Sequence, residues 1–176
     1  MLEDDGLIQI VDAALAEAGR KAGAWLVCHP GCFECCLGPF PITPQDAARL
    51  RHGLAGLESD DPARAARVRA RAAESAARLE RDFPGDTVAR LLDEEDAAAE
   101  EPCPALDPET GTCDLYAARP MTCRTFGPPV HFRGEEMGIC ELCFDGAGEE
   151  EIAACEVPID ADSPEGEGTI VAFALR

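Results

Sequence analysis

The run Cys28-His29-Pro30-Gly31-Cys32-Phe33-Glu34-Cys35-Cys36 places four thiols within nine residues and constrains this chain more than any other feature. A stretch so dense in Cys, Gly and Pro supports neither a helical nor a strand period, and it reads as a loop over 28–41. Such a loop can wrap several thiolates around one ion or cluster, because its backbone need not satisfy a hydrogen-bond ladder. Thiolates select zinc, cuprous copper or iron–sulfur over magnesium and calcium. Cys35 and Cys36 are adjacent, and in an extended chain neighbouring side chains point in opposite directions. That pattern predicts two ion sites, or one polynuclear cluster, with Cys36 turned toward cysteines elsewhere in the chain.

Those further cysteines lie in a second region, 103–155. They stand as Cys103-Pro104, Gly111-Thr112-Cys113, Arg119-Pro120-Met121-Thr122-Cys123-Arg124 and Cys140-Glu141-Leu142-Cys143, with Cys155 beyond. Gly and Pro beside the thiols suit tight turns that expose backbone N–H groups to sulfur. The Cys140/Cys143 pair has the spacing of a metal knuckle or of a redox pair. Cys155, in Ala153-Ala154-Cys155-Glu156, reads equally as a small core residue. Cys32, Cys35, Cys36, Cys103, Cys113 and Cys123 form the first ligand set, and Cys28, Cys140 and Cys143 extend it. His29 or His131 could supply a nitrogen ligand, although His29 reads as solvent-facing and His52 as a surface residue.

Between the two regions the sequence reads as a helical spacer over 44–101. Thr43-Pro44 is an N-cap followed by proline at the first helical position, opening a helix to about Leu57. Asp61-Pro62 repeats the signal for a helix to about Asp82, and Asp86 opens another through the acidic stretch to Glu101. Ahead of the loop, Leu7, Ile8, Val11, Ala14, Leu15 and Ala18 recur at helical spacing over 5–23, with Asp4 or Asp5 as cap. After it, Ala105-Leu106 and Thr112 to Tyr116 flank a turn at 107–111. Val130 to Phe132 and Met137 to Ile139 read as a second hairpin around Arg133-Gly134. A single turn at 119–124, a helix near 149–156 and an apolar tail at 170–175 complete the reading. The fold class expected is mainly α, a helical single domain over 1–176 with irregular cysteine-rich loops and small β-hairpins.

The formal charge of −20, with Lys21 the single lysine, argues against nucleic acid, whose binding requires a basic surface. It argues equally against an anionic membrane, and no run approaches the roughly 20 apolar residues of a bilayer span. The acidic start, Met1-Leu2-Glu3-Asp4-Asp5, is unlike a secretory leader. A cytoplasmic location is expected, where thiols stay reduced and clustered cysteines point to metal or redox chemistry.

The first cysteine group, taken with Cys103-Pro104, Gly111-x-Cys113-x-Leu115-Tyr116 and Arg119-Pro120-x-x-Cys123-Arg124-x-Phe126, resembles the CxxCxxCC family, the YkgJ-type zinc- or iron-chelating proteins. The likeness covers about Cys28 to Cys143. One departure is that three residues separate Cys28 from Cys32 where the family's name implies two, which ranks Cys28 behind Cys32, Cys35 and Cys36 as a ligand. The resemblance implies a bound metal without fixing a reaction. Its relatives include flagellin lysine methylases, for which iron–sulfur chemistry has been proposed.

The expectation is therefore a protein holding iron, as an iron–sulfur cluster or as ions, or else zinc; clustered cysteines with Cys-Pro punctuation favour iron. Two enzyme classes stand as alternatives, a metal-dependent enzyme related to those methylases and a thiol oxidoreductase using Cys140/Cys143. Cys28-x₃-Cys32-x₂-Cys35 also has the spacing of a radical S-adenosylmethionine loop. Against that class, Glu34 stands where an aromatic is usual, and strand–helix repeats for a barrel are lacking. Arg119 and Arg124 are candidates to pair with thiolates or with acidic neighbours, Tyr116 and Phe126 to line the site, and Trp25 to anchor a core.

Overall fold

The chain's apolar period and its caps produce seven α-helices among the described residues of the computed structural model, which are 2–94, 97–132, 135–136, 138–159 and 168–176. The helices are α1 (Leu2–Ala22), α2 (Pro44–Asp60), α3 (Pro62–Asp82), α4 (Thr87–Asp93), α5 (Met121–Thr125), α6 (Glu149–Cys155) and α7 (Val171–Leu175). The strands are short: β1 (Leu106–Asp107), β2 (Thr112–Cys113), β3 (Val130–Phe132), β4 (Glu135–Glu136) and β5 (Val157–Ile159). The mainly helical class expected from the sequence is borne out.

These elements cluster into two compact units, each drawing on separated stretches of chain. Unit 1 comprises Met1–His29 and Met121–Ser163, and unit 2 comprises Pro30–Pro120 and Pro164–Arg176.

In unit 2, α2 opens at the predicted cap. Thr43 Oγ1 accepts the Asp46 N–H at 3.1 Å, and the Asp46 carboxylate accepts the Thr43 N–H at 3.2 Å. The reciprocal pair satisfies two N–H groups that have no partner within the helix. Asp61 caps α3 by accepting the Arg64 N–H at 3.0 Å. α2, α3 and α7 pack on one another through Ile42, Leu50, Leu54, Val68, Ala72, Val171 and Leu175. The apolar tail thus becomes the helix that fills the core. Small residues on α3 (Ala65, Ala72 and Ala76) let its neighbours approach closely, and all three are buried.

Two expectations here are corrected. α4 closes at Asp93 and does not reach Glu101, because acidic residues at a helix C-terminus oppose the macrodipole. α1 begins at Leu2, so Asp4 and Asp5 lie inside the helix and cannot cap it.

In unit 1, α1 packs against α5, α6 and β5, burying Val11, Ala18, Val130, Val157 and Ile159 in one cluster. β3 pairs antiparallel with β4, Glu135–Glu136, which precedes the return strand expected over 137–139, and also parallel with β5. Ile139 forms a parallel bridge with Gly127. The β3–β5 pairing has no local sequence signal. The expected turn at Arg133-Gly134 and the strand start at Met137 lie outside the described residues.

Candidate metal centre

None of the ten cysteines is in a disulfide. They are distributed across the units in a way that crosses the two sequence groups. Cys32, Cys35 and Cys36 of the loop share unit 2 with Cys103 and Cys113, whereas Cys28 shares unit 1 with Cys123, Cys140, Cys143 and Cys155.

In unit 2 the loop closes into a 3-10 turn over Glu34–Cys36, with the Cys36 N–H donating to the Phe33 carbonyl at 2.7 Å. The turn corrects the expectation of divergent neighbours, since the Cys35 and Cys36 side chains are hydrogen-bonded to each other. That bond holds Cys35 below the ordinary thiol range, and the nearby Arg119 guanidinium adds to the effect. Cys36, whose proton is shared with Cys35, is pushed strongly up, and burial reinforces this.

Cys36 also meets the second cysteine region. The Cys103 N–H donates to the Cys36 carbonyl at 2.7 Å, and Leu37 and Pro102 form a β-bridge. Cys103 opens a tight turn in which the Leu106 N–H donates to the Cys103 carbonyl at 2.9 Å. The β1–β2 hairpin then sets Cys113 opposite Leu106. Burial pushes Cys103 up to about 12, against the pull of the Ala105 and Leu106 amides on its sulfur. Burial likewise raises Cys113, whose sulfur accepts from the Leu115 amide. Cys35, Cys36, Cys103 and Cys113 therefore form one electrostatically coupled thiol group, and Cys32 lies half-buried in the same loop.

Close backbone packing keeps the loop on the hairpin. Gly111 has φ +66°, and a Cβ there would stand 2.9 Å from the Gly31 carbonyl oxygen. A polar clamp lies behind the hairpin. The Asp114 carboxylate accepts from Arg64 and from Arg71 of α3, and Arg71 Nε also donates to the Pro104 carbonyl at 2.9 Å. Sequence reading missed these three residues. A signal for them exists: Arg64 and Arg71 are seven residues, or two helical turns, apart on one face of α3, and Asp114 directly follows Cys113.

In unit 1, Cys28 Sγ lies 3.9 Å from Cys143 Sγ. Cys143 is in turn hydrogen-bonded through its side chain to Cys140, whose thiol is raised by burial. Cys140, Cys143 and Cys155 are buried with Ala22 and Phe144, and Trp25, Leu26 and Phe126 pack around them. Trp25 is a core anchor, as expected, stacked on Phe144 with centroids 6.3 Å apart. Cys123 sits half-buried on α5. Next to it, Arg124 is buried and donates to both Asp12 oxygens, at 2.7 and 3.0 Å, so it pairs with an acid of α1. His131 Nε2 stands 3.1 Å from the Glu156 carboxylate, while His29 and His52 are exposed.

Among the described residues no three His, Cys, Asp or Glu side chains already converge as a ligand set. The donor chemistry nonetheless fits a soft or borderline ion. Sulfur donors predominate, backbone amides point at several of them, and the buried thiols need a cation before they can shed their protons.

The family whose model matches the chain, over residues 27–141, is CxxCxxCC, described as "Putative zinc- or iron-chelating domain". No curated protein and no solved structure matches the chain significantly. No described helix is long and apolar enough to cross a membrane.

Proposed function

Because the chain belongs to the CxxCxxCC family, we propose that it binds zinc or iron through cysteine thiolates, with Cys35, Cys36, Cys103 and Cys113 as the principal ligands. The backbone bond from the Cys103 N–H to the Cys36 carbonyl, with the β1–β2 hairpin that follows Cys103 and ends on Cys113, carries the reading. Two of the four ligands come from the loop, one from the turn that Cys103 opens and one from the hairpin that follows it, with the whole helical spacer between. Folding of the helical spacer therefore builds the site, and no short peptide could hold it.

Each part of the surrounding chain has a role in this reading. The Ala105, Leu106 and Leu115 amides donate to sulfur and stabilise the thiolate form. The Arg119 guanidinium, stacked 3.9 Å from the Tyr116 ring centroid, offsets negative charge at Cys35 and Cys113. Arg71 fixes both the turn after Cys103, through the Pro104 carbonyl, and the hairpin end after Cys113, through Asp114. A bound ion would supply the positive charge that lets buried thiols ionise together. Cys32, half-buried in the same loop of unit 2, is assigned as a further donor.

A reducing compartment, where thiols stay free to ligate, suits this reading. Electron transfer, metal storage and methylase-like catalysis would all start from the same thiol centre. The deciding experiment is elemental analysis with sulfide assay and a visible spectrum on the full chain, purified without oxygen. Zinc in a colourless sample is the outcome for a closed thiolate site. Iron with matching sulfide and brown absorbance would place an iron–sulfur cluster on the same four thiols. Protein that keeps neither metal, and takes up neither on reconstitution, sinks the proposal.

A further inference from the structure

Helix α3 carries Arg71, Ser75 and Arg78 along one face, at spacings of four and three residues. The two arginines hold the chain on either side of Cys103. Arg71 Nε donates to the Pro104 carbonyl at 2.9 Å, and Arg78 donates to both Glu101 carboxylate oxygens, at 3.3 and 2.8 Å. Ser75, between them, makes no such bond. We propose that Ser75 binds one internal water, in a cavity of unit 2 beside the Cys103 segment, and that this water completes the grip of α3 on that segment.

Three observations support it. The first is the hydroxyl itself. Ser75 is 2 % exposed, and its Oγ has no hydrogen-bond partner among the described residues. A buried helical serine or threonine can return its hydroxyl to a carbonyl of the preceding turn, as Thr125 does to the Met121 carbonyl at 3.2 Å. Ser75 does not. A buried hydroxyl without a partner is destabilising, and an internal water is the ordinary remedy.

The second is space. A cavity lies against Ser75, with Glu101 and Cys103 also in its wall. It leaves about 20 Å³ for the centre of a water-sized sphere. One water needs about 10–15 Å³ by that measure, so the cavity takes a water and is too small for an organic ligand.

The third is the chemistry of the wall. Burial opposes the charge of the Glu101 carboxylate while Arg78 and Ser75 favour it, yet Ser75 Oγ stands outside hydrogen-bond geometry. Pro39, Pro102 and Pro104 bring carbonyls to the wall but no N–H. Acceptors therefore predominate, and the occupant has to donate. Water does so, bridging Ser75 Oγ to the Glu101 carboxylate with the two or more polar partners that hold a buried water.

The consequence falls on Cys103. Its segment joins the cysteine loop through the Gly38 N–H, which donates to the Glu101 carbonyl at 2.9 Å, and through the Cys103 N–H, which donates to the Cys36 carbonyl at 2.7 Å. A water between Ser75 and Glu101 braces that segment, which makes Ser75 a positioning residue. The water site stands whether or not Cys103 binds an ion, so its failure and the failure of the metal reading are distinguishable.

The test is oxygen-17 relaxation dispersion of solvent water on the full chain, which counts long-lived internal waters and is blind to exchanging hydroxyl protons. Ser75→Ala should lose one long-lived water from the wild-type count. It should also melt below wild type, because it removes a satisfied hydroxyl together with its water. A dry cavity gives the opposite sign, since deleting an orphaned hydroxyl raises the melting temperature. An unchanged count in Ser75→Ala, or a higher melting temperature, overturns the inference. A second measurement needs no variant: a high-resolution crystal structure of the wild type should show a solvent peak within hydrogen-bond distance of Ser75 Oγ, and a cavity without one also overturns the proposal.

Discussion

Cys103 in unit 2 and Cys140 in unit 1 open the same kind of turn. In each, the amides two and three residues on donate to the sulfur, and the later of the two also donates to the cysteine's carbonyl. What fastens the turn differs. Unit 2 uses charge, with Arg71 gripping both the Pro104 carbonyl and the Asp114 carboxylate. Unit 1 uses aromatic packing, with Phe144 stacked on Trp25 in a cluster that buries Cys140 and Cys143. The same turn can thus be held by a polar clamp or by an apolar plug. A clamp fails through uncompensated charge and a plug through a cavity, so the two units should break in different ways.

Asp114→Ala should have the largest effect. The carboxylate is only 2 % exposed and meets two guanidinium groups, so its loss strands partly buried positive charge. Breaking a fully buried pair from one side costs about 3–5 kcal/mol, and solvent at Arg64 and Arg71 brings the loss to the lower end of that range. A thermal melt should show that loss together with weaker binding of the ion proposed at Cys103 and Cys113. A melting temperature unchanged from wild type would show that the clamp holds nothing. Phe144→Ala comes next, at about 3 kcal/mol for a truncated core aromatic. It should raise iodoacetamide labelling of Cys140 and Cys143 in the metal-free protein while leaving Cys103 protected. Equal exposure of all three would erase the distinction between clamp and plug.

Much of this difference was legible in the sequence, though unevenly. The Thr43-Pro44 and Asp61-Pro62 starts are written in local chemistry, and α2 and α3 begin where those residues put them. The 107–111 turn was legible for the same reason, since Asp107 and Gly111 close it. The cysteines were legible as donors, but their sorting into groups was not. Cys28 and Cys32 are four residues apart and fall in different units, a partition set by tertiary packing that no spacing rule contains. Cys35 and Cys36 were misjudged because the loop turns as a 3-10 helix where an extended chain was assumed. The Arg64–Asp114 and Arg71–Asp114 pairs span 50 and 43 residues, beyond the reach of any helical charge pattern.

Gly111→Ala tests how far unit 2 also depends on backbone contact. The substitution adds a Cβ 2.9 Å from the Gly31 carbonyl oxygen at a left-handed position. Strain of this kind costs about 1–3 kcal/mol, and the neighbour is backbone, which cannot rotate away. The expected result is weaker cobalt binding at the unit 2 group with iodoacetamide labelling of Cys140 and Cys143 unchanged. If labelling of Cys140 and Cys143 rises as well, the contact serves general stability and the two units are not separately held.

The smallest effect on stability is expected at Tyr116, which is 63 % exposed and carries the Arg119 guanidinium on its ring. An exposed cation–π contact is worth roughly 0.5–1 kcal/mol, so Tyr116→Leu should barely move the melting temperature. Its consequence should appear at Cys35. The Cys36 hydrogen bond is the main reason the Cys35 thiol is held low, and Arg119's charge adds to it. A guanidinium released from the ring spends less time beside the sulfur, so Cys35 should bind its proton more tightly. In metal-free protein at neutral pH, a smaller thiolate fraction means slower alkylation of Cys35. Arg119→Gln should slow it further, because the charge is then gone entirely. The order wild type, Tyr116→Leu, Arg119→Gln in falling rate would mark the ring as a holder of charge for unit 2, a part that the apolar plug of unit 1 does without. Equal rates in all three would reduce the stack to surface packing and leave the Cys36 hydrogen bond alone responsible for the low Cys35 thiol.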